Sequence, residues 1–191
     1  MTSTARRLLV ATPTLLDANF HRTVVFMLEH VPDGALGVVL NRPGGDDVDE
    51  LFPEWSGLAA SPTRLFVGGP VQADEALVAF GRVASPAPVE GPIAASSEWQ
   101  PLLGPVGSLD LGIAPGDTVP RVDAFRAFNG YAGWGPGQLD DELEVGGWVV
   151  VDAEPADLLT DEPEHLWRRV LRRQGGDLAM MANRPRDPTV N

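Results

Sequence analysis

The chain has 191 residues, a length suited to one domain with a single substantial core. It contains no cysteine and no lysine, all fourteen basic residues being arginine. This excludes disulfides, thiolate metal sites, thiol nucleophiles, Schiff-base chemistry and the lysine of a phosphate-binding loop. A formal charge of −13 opposes a phosphate backbone, so direct DNA binding is not expected.

In chain order, Arg6 and Arg7 precede only Leu8-Leu9-Val10-Ala11 before Thr12-Pro13. That apolar run is too short for a signal segment or a membrane span, and no later run reaches spanning length, so the expected location is the cytoplasm. Arg7–Ala11 reads as a strand, and residues 23–30, apolar on both faces, as a central one. Val31-Pro32-Asp33-Gly34 places proline and glycine as a type I turn requires, which returns residues 35–40 as the antiparallel partner. Asn41-Arg42-Pro43 ends that strand. The acidic stretch 44–61 carries Leu51, Phe52 and Trp55 at roughly helical spacing and predicts a short helix.

Residues 65–67 form the next predicted strand, running into Gly68-Gly69-Pro70, and residues 76–80 another. Residues 84–92 are a proline-rich loop. Strands resume at 106–111 and 122–128. A glycine-rich turn then leads into a helix at 138–145, closed by Gly146-Gly147, followed by a strand at Trp148–Asp152. The last helix, Pro163–Gln174, has proline at its start, Gly175 after its end, and Leu166, Val170 and Leu171 on its core face. There is no internal repeat, and residues 1–191 are expected to form a single domain.

Several of these blocks together resemble the YqgE/AlgH family of bacterial proteins. The amino-terminal part of the resemblance runs through Leu9-Val-Ala-Thr-Pro13, Asp17, Phe20, Arg22, Thr23-Val-Val25, Glu29-His30 and Gly34-Ala-Leu-Gly-Val-Val-Leu-Asn-Arg-Pro43. The later part is carried by Gly68-Gly-Pro-Val71, Gly130-Tyr-Ala-Gly-Trp134, Gly137-Gln-Leu139, Glu142, Trp148 and Leu166-Trp-Arg168. The stretch 85–105 and the tail after Asp177 depart from the pattern. The resemblance implies an α/β (α+β) fold, a mixed and partly barrel-like sheet flanked by helices. The family name records a link to alginate regulation and carries no catalytic assignment, so a regulatory role is what the resemblance implies.

Two constellations qualify as sites on their residues. Gly130 to Gly137 joins a strand to a helix amino terminus, a layout able to hold an anion. Its spacing, Gly-x-x-Gly-x-Gly-x-Gly, is neither the dinucleotide fingerprint nor the phosphate loop, and Asp140 and Asp141 already complement the helix dipole. The reading favoured over a ligand site is structural: the glycines serve positive φ and close backbone approach, with Trp134 in the core. The second constellation is Thr12, Asp17, Arg22, Glu29, His30, Asn41 and Arg42, at strand ends. Glu29 and His30 point to opposite faces, so at most one joins a site. Arg22 and Asn41 offer a forked donor and an amide that could hold a carboxylate or another chain's backbone, the alternative being an Arg22–Asp17 ion pair and an Asn41 that closes a turn.

No Gly-x-Ser-x-Gly elbow, His-Glu-x-x-His or EF-hand spacing occurs. The histidines, His21, His30 and His165, are dispersed, so a metal centre would need tertiary coincidence, and neither metal nor cofactor is expected. Arg168, Arg169, Arg172 and Arg173 form two columns on the last helix, a phosphate patch or simply a complement to the helix dipole, with Glu164 to Arg168 the favoured ion-pair spacing. The expected function is that of a regulatory or adaptor protein acting through an unknown protein or small-molecule partner. The candidate binding residues are Thr12, Asp17, Arg22, Asn41, Gly68, Gly69, Pro70, Gly130, Trp134, Gly137, Gln138 and Glu142. The alternative is a hydrolase using a carboxylate, Asp17 or Glu142, with Arg22 as an electrophilic clamp.

Overall fold

A computed structural model describes residues 3–73, 75–84, 98–117 and 121–184. Eleven strands and five α-helices alternate along them: β1 (Arg7–Ala11), β2 (Val24–Val31), β3 (Gly34–Val39), β4 (Pro43–Asp47), α1 (Val48–Leu51), β5 (Arg64–Val67), β6 (Leu77–Val83), β7 (Trp99–Leu103), β8 (Val106–Leu109), β9 (Val122–Asn129), β10 (Ala132–Trp134), α2 (Gln138–Glu144), β11 (Trp148–Asp152), α3 (Pro155–Leu158), α4 (Pro163–Gln174) and α5 (Gly176–Met181). The strands make a five-stranded sheet, order β10-β3-β2-β1-β11, and a six-stranded sheet, order β4-β5-β9-β6-β8-β7. The mixed α+β class is as expected. Among the described residues the sheet structure is two sheets that do not close into a barrel. The proline-rich loop, apart from Ala84, lies outside the described residues.

Both faces of the five-stranded sheet are covered, which explains why β1 and β2 read as continuous apolar runs. Alternation along β1 sends Leu8 and Val10 into a core shared with Phe66, Phe80 and Phe128 of the other sheet and with α4. Leu9 and Ala11 go to the opposite face, where Trp134, Leu139 and Trp148 pack. A third cluster, around Trp55, Trp99 and Phe125, fills the far side of the six-stranded sheet. Helix α4 buries Leu166, Trp167, Val170 and Leu171 as one stripe and starts at Pro163. Among the described residues no helix is long and apolar enough to cross a membrane.

Two elements form against their local composition. Strand β4, Pro-Gly-Gly-Asp-Asp, is an edge strand joined to β5 at Pro43↔Phe66 and Asp47↔Arg64 with an irregular register between. Edges tolerate proline because one side of the backbone needs no ladder partner. Within the predicted glycine-rich turn, Ala132–Trp134 is a strand, β10, paired with β3. The helix predicted across 44–61 is confined to α1 and a short 3-10 turn at Pro53–Trp55.

One buried cation ties the layers together. Arg126 on β9 is 2% exposed. It donates from Nη1 to the Thr160 carbonyl and from Nη2 to the Ser61 carbonyl, both at 2.5 Å, and its guanidinium lies 4.2 Å from the Phe66 ring centre. Burial pushes its pKa down to about 10, with Asp161 acting in the opposite sense. A folded-state value below the ordinary one means the charge opposes folding at neutral pH, a penalty that falls only as pH rises above that value. Arg126→Ala, which leaves a cavity and two unmatched carbonyls, is expected to cost about 3 kcal/mol in urea denaturation. Arg126→Met, which fills the space and removes the buried charge, is expected to cost less.

Candidate functional site

The site begins at a turn after β1. The Asp17 carboxylate accepts from Asn19 N at 2.8 Å, and its carbonyl accepts from Phe20 N at 3.0 Å and His21 N at 2.8 Å. This side-chain closed turn is the ordinary use of an aspartate at such a position. It sends neighbouring side chains to opposite faces of the five-stranded sheet. Phe20 packs on Trp134 and Trp148, with ring centres 6.1 and 5.5 Å away. The Arg22 guanidinium lies 4.5 Å from the centre of the Trp167 ring on α4. That indole is itself fixed by donating to the Ala11 carbonyl at 2.8 Å.

Arg22 adopts a left-handed backbone, φ 56°, which is strained for a bulky residue. Asn41 holds it there. Its side-chain carbonyl accepts from Val24 N and its amide donates to the Arg22 carbonyl, both at 2.9 Å, extending the β2–β3 pairing past the end of the strands. Arg22 Nη2 donates to the Arg184 carbonyl at 2.6 Å. Arg42 Nη2 reaches the His21 carbonyl at 2.6 Å.

Together these residues line a hollow of about 380 Å³, walled by Arg22, Arg42, Arg168, His21, Asn41 and Trp167, with Pro43 and Glu164 at its rim. A second hollow, of about 510 Å³, shares Arg42 and Pro43 and runs on to Asn19, Val67, Gly69 and Pro70. Arg22 and Asn41 at the first hollow, and Gly69 and Pro70 at the second, therefore lie on neighbouring hollows joined through Arg42 and Pro43. Asp17 shapes the turn beside them.

The other predicted residues lie elsewhere. Thr12 donates to the Gly146 carbonyl at 2.9 Å, while its N–H meets the Gly147 carbonyl at 3.0 Å, tying β1 to the loop before β11. Glu142 accepts from the indoles of Trp134 at 2.9 Å and Trp148 at 2.7 Å, and from the Gln138 amide at 2.9 Å. This knot sits on the face opposite Arg22, so Glu142 and the Arg22 clamp are not brought together. Gly137 caps α2 in a left-handed conformation. Gly68 and Gly130 belong to a tight crossing of two backbones, where a Cβ on Gly68 would lie 2.3 Å from the Gly130 carbonyl oxygen.

On α4, three of the four arginines have partners among the described residues. Arg173 grips the buried Asp157 carboxylate at 2.9 and 2.7 Å. Burial opposes its charge, but Asp157, Glu154 and Asp152 outweigh that and raise its pKa. Arg169 donates to Thr160 Oγ1 at 2.8 Å, and Arg172 approaches Asn183 Oδ1 at 3.4 Å. Arg168 instead faces the hollow. The anticipated Glu164–Arg168 pair is replaced by contacts of Glu164 and Glu162 with His165, each at 3.8 Å. Sequence reasoning read Arg168 with the other arginines of this helix, as a phosphate patch or a complement to the dipole, and left His21 and Trp167 out of the site. Only the approach of α4 to the Arg22 turn reveals them. Among the described residues no three His, Asp or Glu side chains converge as metal ligands.

Fold and site define a two-sheet α+β protein with an arginine-lined hollow at one end of its five-stranded sheet. A family model described as AlgH-like matches residues 8–179, and the chain belongs to that family. A UPF0301 protein of Streptomyces coelicolor is 50% identical over all 191 residues and 97% of its own length. One from Thermobifida fusca is 42% identical over 96% of this chain and 93% of its own. The crystal structure of protein DIP2367 from Corynebacterium diphtheriae superposes with a TM-score of 0.83 at 30% identity, over 94% of this chain and 92% of that one. The solution structure of AlgH from Pseudomonas aeruginosa gives 0.65 at 26% identity, over 96% and 95%.

Proposed function

We propose that this protein is a cytoplasmic regulatory adaptor that acts by holding a partner at the Arg22–Arg42–Pro70 end, and that any effect on transcription passes through that partner rather than through direct DNA contact. The observation that carries this reading is the fixing of Arg22. Asn41 bonds the backbone on both sides of it, and Trp167 supports its guanidinium, so a cation is positioned in advance at the cost of backbone strain. Such strain is characteristic of sites that bind or switch. Acid–base chemistry has less support, because the Glu142 carboxylate is engaged by three donors on the opposite face.

A photo-crosslinking residue at Pro43, on the rim shared by both hollows, is expected to give a discrete adduct in living host cells. The same residue at Val145, 83% exposed but beyond α2, is expected to give none. Arg22→Ala in the Pro43-labelled protein should abolish the adduct while the circular dichroism spectrum is kept. An absence of adduct from position 43, or equal adducts from both positions, would overturn the reading.

A further inference from the structure

We infer that the outer edge of β11 pairs with itself: two copies of this chain join antiparallel about Val150, so that their five-stranded sheets run on as one. No residue of β11 lines either hollow, so this contact and the adaptor reading stand or fall separately. β11 ends the order β10-β3-β2-β1-β11 and pairs only with β1 among the described residues. Thr12 N donates to the Gly147 carbonyl at 3.0 Å. Because an antiparallel ladder alternates by two, Val149 and Val151 turn their N–H and C=O groups towards β1. Trp148, Val150 and Asp152 turn theirs outward. Of these outward groups, only the Asp152 carbonyl has a partner among the described residues, Arg173 Nη2 at 2.8 Å.

An open edge is a template for another strand, and the other three edges are each blunted. β4 carries Pro43 and an irregular register. β7 carries Pro101, whose carbonyl, with that of Leu102, accepts from Arg6 Nη1. β10 is three residues long, and Tyr131 before it exchanges hydrogen bonds with Val71 in both directions. β11 has none of these devices: Trp-Val-Val-Val-Asp pairs with β1 over all five residues in unbroken register. Native sheets suppress such an apolar run at an edge unless a strand covers it.

The covering strand that fits is β11 of a second copy. Pairing about Val150 sets Trp148 against Asp152 of the partner subunit and Val150 against the partner's Val150, so every outward donor meets an outward acceptor. The Asp152 carbonyl keeps Arg173 on its second lone pair. Valines then face valines across the seam, Val149 meeting Val151 of the partner subunit, a favourable cross-strand pairing. The two Asp152 carboxylates stand about 13 Å apart along the strands, each already beside its own Arg7 at 3.0 Å. The formal charge of −13 on each chain opposes association, and salt screens that repulsion.

Sedimentation equilibrium of the intact protein from about 1 to 500 µM tests the contact. A monomer–dimer equilibrium is expected, tighter at about 0.5 M than at about 0.05 M sodium chloride. Val150→Pro deletes an N–H that β1 does not use and should weaken the dimer about tenfold or more. Val150→Lys, a charge of the kind that guards edges, should do the same and decides the matter if the proline variant does not fold. Leu77→Lys, at a 47% exposed position on the other sheet, should leave the dimer unchanged. The chain has no cysteine, so Val150→Cys provides one thiol at the seam, about 5 Å from its counterpart, which a short bismaleimide should couple. Val145→Cys, beyond α2, should not couple. A monomer throughout the range, a dimer indifferent to the folded Val150 variants, or equal coupling from Val145 would overturn the inference. A photo-crosslinking residue at Asp152 that captures a different protein in host cells, and never a second copy, would also overturn it, in favour of a foreign strand.

Discussion

Gly69→Ala is expected to be among the most damaging single substitutions in the chain, at about 4 kcal/mol or more, or a melting temperature about 10 °C lower. A Cβ at this position would lie 2.1 Å from the Tyr131 carbonyl carbon, 2.2 Å from its oxygen and 2.4 Å from Ala132 N. These are backbone atoms that cannot swing aside. Tyr131 exchanges hydrogen bonds with Val71 in both directions, at 3.0 and 3.1 Å, and Ala132 is paired with Gly37 of β3. The crossing is reciprocal, since a Cβ on Gly130, at φ +69°, would lie 2.6 Å from the Gly69 oxygen. Gly45→Ala is the control, because nothing lies within 4 Å of its Cβ position, and it should change stability by less than about 0.5 kcal/mol. Thermal melts of the two variants decide the matter: a Gly69→Ala melt close to that of Gly45→Ala would show that the backbones do not cross as described.

Glu142→Leu carries the second large effect, expected at about 4 kcal/mol in urea denaturation with a red-shifted tryptophan emission. The carboxylate oxygen Oε2 accepts from both Trp134 and Trp148, whose side chains are 6% and 3% exposed as whole residues. Leucine would leave two indole N–H groups in an apolar cluster without an acceptor, a larger loss than the hydrogen bonds' own net worth. Glu142→Gln should be milder, since an amide oxygen can still face the indoles. Its NH₂ would then confront the Gln138 amide, whose own oxygen is held by Gly135 N at 3.1 Å. A Glu142→Leu variant as stable as the parent would show that the indoles find other acceptors. The same pair of variants bears on catalysis: a turnover lost in Glu142→Gln with the fold intact would revive the hydrolase alternative.

Much of the fold was legible because its strongest signals are local. Leu8 to Ala11 and Val24 to Met27 are apolar on consecutive positions, and only a strand covered on both faces requires that. Pro163 and Gly175 bracket α4, whose apolar residues recur at helical spacing. What was not legible depends on partners distant in sequence. Pro43 to Asp47 has the composition of a loop and becomes a strand only because β5 offers a free edge. Ala132 to Trp134 does the same against β3. Tertiary pairing overrode weak local preference in both places.

The candidate site divides in the same way. The sequence by itself determined which residues were unusual: Arg22 and Asn41 at strand ends, the glycines at 68, 69 and 130, and the Trp134–Glu142 segment, because charge, amide groups and missing side chains are properties of residues. Its composition also excluded thiol and lysine chemistry, and its resemblance to a known family implied the α+β class. Tertiary structure alone decided which of these residues lie together. It brought Arg168 on α4 to the turn that carries Arg22, and it placed Glu142 on the far side of the sheet with two indoles. It also pressed Gly69 against Tyr131. The physical reason is that the side-chain period of a strand fixes only which face a residue takes, whereas the element covering that face is chosen by the packing of the whole chain.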